Sequence, residues 1–435
     1  AGAQWLDGAR PQRFTATRDL HLIDRPWLSD AGTPADGAAQ QPYVNRDRLT
    51  AGNDLVIALN AHFVNPSVID AGRDLFIGAR GVSNETSVGS RQASFDYPYY
   101  PGCRTEYDGL CTTTTEVPSS PALMLVGRDL VAATTFHHNR GASILVGRDI
   151  RIDADGGPVS PPSTTPTSPA PDGPAPAMPP IASGTLTDAL ARMLSTGVLS
   201  LTDAPPPLSS FVNTGNIHAA SIVVRAADIR NGFDVVTDFY HRTSEPIVLP
   251  AQIDVAGFGA HGGSLLPALI AERYSGAALM RLLPPGLAST LPFALTPAEE
   301  AAALRNAFLA TTRRGWILPG LTWDALTGQS PQQQEHAILA ANGAAFAIEH
   351  GIALGADLTA AQQSLLGAPV LWYTARGGQL HPIVYLPSDW QAQLTVVPGG
   401  ALDAGVAIEL TGARVDNTGF VLSDALRQSR ASATP

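Results

Sequence analysis

Few stretches of this sequence hold residue types at a spacing that could do chemistry, and each has a plainer reading beside it. Gly257-Phe258-Gly259-Ala260-His261-Gly262 follows the apolar Ile253 and Val255 and precedes an apolar stretch. It matches a dinucleotide fingerprint, in which glycines let a pyrophosphate approach the backbone at a helix start. No repeated strand–helix–strand unit follows, and no acid stands in a strand about 20 residues on. A glycine corner between a strand and a helix explains the run better. His261-Gly262-Gly263-Ser264 is like an esterase oxyanion loop, but no Gly-x-Ser-x-Gly elbow accompanies it. His137-His138 lacks a third ligand at metal spacing and reads as polar surface. Asp153-Ala154-Asp155-Gly156 resembles part of a calcium loop without its distal Glu. Glu299-Glu300 in a first helical turn, and Glu349-His350 at a helix end, suit the helix dipole. No acid/base pair is brought together by spacing alone. The expectation is a chain that is not an enzyme and carries no cofactor or metal.

Cys103 and Cys111 are the only cysteines and lie close together in a loop-like stretch. They fit one local disulfide in an oxidising compartment better than two free thiols. The same stretch holds Tyr97, Tyr99, Tyr100 and Tyr107. Aromatics on an extruded loop are candidate partner contacts, with packing against the rest of the chain as the plainer role. Trp316 and Trp323, further on, are candidate contacts of the same kind.

The elements that would position these residues are repetitive. A unit of small residue, Gly, Arg or Asn, Asp, then Leu or Ile, recurs at Ala51-Gly52-Asn53-Asp54-Leu55, Ala71-Gly72-Arg73-Asp74-Leu75, Val126-Gly127-Arg128-Asp129-Leu130 and Val146-Gly147-Arg148-Asp149-Ile150. A weaker copy is Ala16-Thr17-Arg18-Asp19-Leu20. Gly52 and Gly72 are 20 residues apart, as are Gly127 and Gly147. A fixed period of this size marks stacked repeats that bury a shared core. Gly is expected to supply a special corner conformation and Asp to cap it. Leu55, Ile57, Leu75, Ile77, Leu130, Ile150 and Ile152 are expected to stack inside.

Five regions follow. Residues 1–155 form a solenoid, with a loop extruded over 78–121. Residues 156–182 are a Pro/Ser/Thr-rich linker, extended and unable to build a core. Residues 183–262 are rich in strand signals, after a short helix over 186–194. Residues 263–368 are helical. Thr296-Pro297-Ala298-Glu299, Ser330-Pro331-Gln332-Gln333 and Thr359-Ala360-Ala361-Gln362 are capping boxes. Gly351 stops the second of these helices, and an earlier helix is expected over 265–283. Residues 369–435 contain a hairpin around Gly377-Gly378, expected to dock the helices on the solenoid, and then resumed solenoid strands.

Bulk composition narrows the function classes. All 27 basic residues are Arg, and the net charge is -11. No basic cluster exceeds Arg313-Arg314, which argues against nucleic acid and against a polybasic membrane anchor. No apolar run is long enough for a membrane-spanning helix. The opening residues show no signal peptide, and the chain reads as an internal piece of something longer.

The Gly-Arg-Asp-Leu repeats resemble those of filamentous haemagglutinins and of contact-dependent growth inhibition exoproteins. A second run is similar to one in the growth-inhibition proteins: Leu358-Thr359-Ala360-Ala361-Gln362, Val370-Leu371-Trp372-Tyr373 and Pro382-Ile383-Val384-Tyr385-Leu386. Tyr373 departs from the usual pattern, as does the proline linker. The resemblance implies a mainly β chain, a right-handed parallel β-helix, which in this sequence is interrupted by the Pro-rich linker and a small α-helical subdomain with a β-hairpin. It implies secretion to a bacterial cell surface through an outer-membrane transporter of the two-partner type. The implied role is adhesion or contact with a protein or glycan receptor on a target cell. A passive spacer and a β-helical polysaccharide-active enzyme are the alternatives. The latter needs clustered carboxylates on one solenoid face.

Overall fold

A computed structural model describes residues 14–23, 42–96, 110–120, 122–134, 136–153, 208–232, 250–256, 275–394 and 400–430. Its largest feature is an 18-stranded sheet in which strands from successive repeats pair in parallel. Three ladders account for the pairing. The first runs through Phe14–Ala16, Arg48–Ala51, Val68–Ala71, Leu123–Val126 and Ser143–Val146, then into the first parts of Asn216–Arg225, Ala401–Gly412 and Phe420–Arg430. The second starts at Leu20–Ile23, and the third runs from Tyr43–Val44 to Arg414–Asn417. Long strands such as Leu55–Asn65 serve two ladders by shifting register between Leu59 and His62. The pattern is compatible with a β-solenoid of stacked coils, each presenting three faces.

The alternation of the repeat explains the core. Leu55, Leu75, Leu130 and Ile150 are ladder partners, as are Ile57, Ile77, Ala132 and Ile152. All are buried in one continuous cluster. The recurrence of glycine at the corners has a different cause from the expected one. None of Gly52, Gly72, Gly127 and Gly147 has a positive φ. A β-carbon on Gly72 would overlap the Gly52 carbonyl oxygen, one on Gly127 the Gly72 oxygen, and one on Gly147 the Gly127 oxygen. Glycine is needed because successive corners touch backbone to backbone.

The Asp at each corner, expected to cap its own turn, bonds to the corner of the next coil. Arg73 pairs with Asp54, Arg128 with Asp74 and Arg148 with Asp129, each guanidinium engaging both carboxylate oxygens of the coil before. The same carboxylates accept backbone N–H bonds from Asp129 and Asp149. On the far side of each coil runs an asparagine ladder, buried from Asn45 through Asn65, Asn84, Asn139 and Asn213 to Asn231 and ending at the exposed Asn417. Each side-chain amide donates to the side-chain carbonyl of the next at 2.7–2.9 Å.

Interruptions leave the stack at two corners. The residues between Ile23 and Tyr43, and between Asp153 and Ser210, separate the second face from the third. The other two interruptions fall between the third face and the next first face. One is an antiparallel hairpin, Ser87–Asp96 with Leu110–Ser120. Residues 78–85 belong to a coil rather than to the excursion, which corrects the expected loop over 78–121. The other runs from Gly232 to Gly400 and carries the helical body. Its ends meet, since the Gly400 N–H donates to the Gly232 carbonyl at 2.9 Å.

The helical body has its own buried core. Helices Gly276–Leu282, Pro297–Thr312 and Pro331–His350 pack with a three-stranded antiparallel sheet of Gln252–Asp254, Gln379–Tyr385 and Val370–Arg376. All three capping boxes form. Gly351 ends its helix at a φ of 63°. The expected 183–262 segment is thus divided. Ser210–Asn231 builds coils, whereas Gln252–Asp254 joins the helical body. Of the expected 265–283 helix, Gly276–Leu282 is helical and residues 257–274 lie outside the described residues. The 156–182 linker and the 186–194 helix lie there too.

Candidate functional site: the cleft between coils and helices

One outward row of the first face positions the helical body. Along the ladder, Asp70, Leu125, Leu145, His218 and Asp403 are successive partners. They alternate with inward residues such as Ile69, Met124, Ile144, Ile217 and Leu402, as period-two strands require. The row offers acid, apolar, apolar, imidazole and acid to whatever lies above it.

The segment after the Pro297–Thr312 helix lies on this row. Arg314 pairs with Asp403. Gly315 sits over Leu145, and a β-carbon there would come within 2.8 Å of a Leu145 methyl. The Gly315 N–H donates to His218 Nδ1 at 3.1 Å. The Trp316 ring stacks on the imidazole with centroids 3.7 Å apart. At the adjoining corner, the Trp323 N–H and Thr322 hydroxyl both donate to the Gly147 carbonyl, at 2.9 and 3.2 Å. The small corner leaves room for Pro331 beside Gly147 and for the Trp323 ring beside Gly127. The Trp372–Tyr385 hairpin, expected to do the docking, is instead the buried centre of the helical body.

Between helices and corners remains a cleft of about 580 Å³. Its floor is Gly52, Gly72 and Gly127, with Asp70 and Arg73. Its wall is Leu304, Arg305, Phe308, Trp323, Glu335, His336 and Leu339. Burial dominates its titratable groups. The Asp70 carboxyl is pushed above its ordinary value by burial, against the pull of Arg48 and Arg305. Burial pushes the Arg305 guanidinium down to about 10. The Glu335 carboxyl is pushed up to about 8 by burial, although it accepts the Ile317 and Leu318 N–H groups at 2.6 and 2.8 Å. Glu300 faces both the His336 imidazole at 2.9 Å and the Tyr373 hydroxyl, which donates to it at 2.6 Å. Burial, with Glu300 beside it, raises the Tyr373 hydroxyl well above its ordinary value.

These acids and the imidazole bind the body's own groups. Glu300 ties two helices to the sheet, and Glu335 fixes the segment that rests on the coils. The sequence placed Glu300 as a dipole partner only; its 36- and 73-residue separations from His336 and Tyr373 left no local signal. Among the described residues, no group of three His, Cys, Asp or Glu side chains comes together to hold a metal ion.

The expected contact residues fare differently. Trp316 is 3% exposed, and its ring faces His218 rather than solvent. Trp323 is half-buried at the mouth of the cleft against the corners. Tyr97, Tyr99, Tyr100, Tyr107 and Cys103 lie outside the described residues, as does the Gly257–Ser264 run. The Cys103–Cys111 disulfide therefore falls there too; Cys111 is in the hairpin opposite Phe95. His137, expected at the surface, is fully buried in the coil interior and stacks on Phe211 at 5.9 Å. Its partner His138 points outward to the Ser210 hydroxyl at 3.4 Å. No helix among the described residues is long and apolar enough to cross a membrane. No family model, curated protein or solved structure matches the chain.

Proposed function

We propose that this chain is a non-enzymatic, binding and structural segment of a secreted bacterial surface exoprotein. In this reading it is a right-handed parallel β-helix, exported through an outer-membrane transporter of the two-partner type. Its helical body contacts a protein or glycan receptor on a target cell, as in adhesins or growth-inhibition effectors. One observation carries the reading. A self-contained body leaves the repeat at one corner, where the coils go on stacking past it, and is held on them by a row of outward residues and the Gly147 corner. Binding rather than turnover is supported by the bonding of Glu300, Glu335 and His336, which hold the body together. Solenoids commonly present such insertions for recognition.

A passive spacer is the second reading, favoured by Trp316, whose contact is with the coils themselves. The close approach of Gly232 and Gly400 supplies the deciding experiment. Replacing residues 233–399 by a short turn should leave the coils joined. If the body recognises a receptor, the intact chain attaches to susceptible cells and the shortened chain does not. Equal attachment by both would leave the body as architecture.

A further inference from the structure

One contact between body and coils requires a particular protonation state of a side chain. His218 Nδ1 accepts a hydrogen bond from the Gly315 backbone N–H, and a nitrogen can accept only while it carries no proton. The imidazole is 5% exposed, with Trp316 stacked on one side. A second proton on the ring would set two donors against each other across 3.1 Å. It would also place a cation near Arg314, which opposes charging of the ring.

We infer that the seat of the helical body on the coils is an acid-labile latch, closed while His218 is neutral and opened by its protonation. The charged groups around the ring define its limits. Arg314, from the segment after the Pro297–Thr312 helix, disfavours the imidazolium. Asp403, the ladder neighbour of His218, is committed to Arg314. Leu145, on the other neighbouring strand, and Trp316, above the ring, do not titrate.

The sign follows from linkage. Burial first, then Arg314, hold the His218 imidazole well below its ordinary value of 6.5 in the docked state. An undocked His218 recovers that value. The undocked state therefore binds more protons, and docking weakens as pH falls below 6.5. Between pH 7.5 and 5.0 this amounts to about thirtyfold in the docking equilibrium. Asp403 acts in the opposite sense, because burial raises its carboxyl when docked. Its protonation favours the docked form over the interval above 3.8. Release by acid is thus the property of His218 alone, and it exposes Trp316 and Leu145 together.

The test uses the full chain. Hydrogen exchange at the Gly315 amide is followed from pH 7.5 to 5.0, corrected for the intrinsic chemical rate, with Val384 in the body's core as reference. The imidazole ¹⁵N resonances of His218 are titrated in parallel. Expected is a loss of Gly315 protection approaching thirtyfold, setting in below pH 6.5, at an undiminished Val384, from a docked state in which Nδ1 carries no proton. His218→Asn places a non-titrating oxygen where Nδ1 stood, and the loss should then disappear. Asp403→Asn should leave it in place. Protection that does not change with pH, an Nδ1 that already carries a proton at pH 7.5, or an unchanged pH response in His218→Asn would each overturn the latch.

Discussion

At the scale of single residues, burial decides roles that local sequence cannot. His137 and His138 are adjacent, yet strand alternation sends one into the coil interior and the other outward. Among the described residues neither ring nitrogen of His137 has a hydrogen-bond partner, and burial pushes its imidazole down to about 3. An unpartnered polar group in an apolar core costs about 1–3 kcal/mol. His137→Phe, stacking on Phe211, should therefore raise stability by an amount of that order, read as a higher urea midpoint at unchanged slope. The pH dependence has a fixed sign. The unfolded His137 takes up a proton below about 6.5 while the folded one stays neutral to about 3. Stability is lost as pH falls through that window, and His137→Phe should flatten the loss. A variant that is destabilised and equally acid-sensitive would show that an unseen partner satisfies the ring.

At the scale of elements, the corners and the asparagine ladder fix the register of the coils. The 20-residue spacing, the inward Leu and Ile positions and the three capping boxes were all legible in the sequence, because each is local. The reasons behind them were less so. Gly72 was readable as a corner, but the neighbouring carbonyl that demands glycine belongs to another coil. The asparagine ladder left a faint trace: an Asn stands ten or eleven residues after the corner Asp in Asp54–Asn65, Asp74–Asn84 and Asp129–Asn139. Hydrogen bonds in series make the ladder unequal along its length. Asn139→Leu strands a donor on Asn84 and an acceptor on Asn213, both buried, and should cost about 2–4 kcal/mol. Asn417→Leu, exposed at the ladder's end, strands only one neighbour and should cost under about 1 kcal/mol. Equal costs in urea titrations would remove the ladder from the account of register. The docking row was illegible for a further reason. Arg314 and Asp403 lie 89 residues apart, and Gly315 and His218 lie 97 apart, so their meeting depends on the length of an intervening body.

For the whole molecule, the decisive fact is that two hydrophobic cores form without sharing residues. The coil core grows by nearest-neighbour stacking, whereas the body's core closes on itself around Trp372, Tyr373 and Tyr385. Between them stand the outward row, the Gly147 corner and the cleft. Cooperativity across such a seam is limited by the contacts that cross it, so the chain should not unfold as one unit. Four of the six tryptophans, Trp316, Trp323, Trp372 and Trp390, belong to the body, so with Trp5 and Trp27 replaced by Phe tryptophan fluorescence follows its unfolding. Far-UV dichroism of strand follows mainly the coils. The two signals should separate in urea, giving two midpoints. In that background, replacing 233–399 by a turn should abolish the fluorescence transition and leave the strand transition. The coils lose only the surface that Arg314, Trp316 and Trp323 cover, and the Gly232–Gly400 junction keeps the ladders in register. Coincident transitions in the intact chain, or collapse of the strand signal in the shortened one, would mean that the body is a required part of the coil stack. Its position on the outward row would then be a condition of folding, and receptor contact would have to be sought elsewhere on the chain.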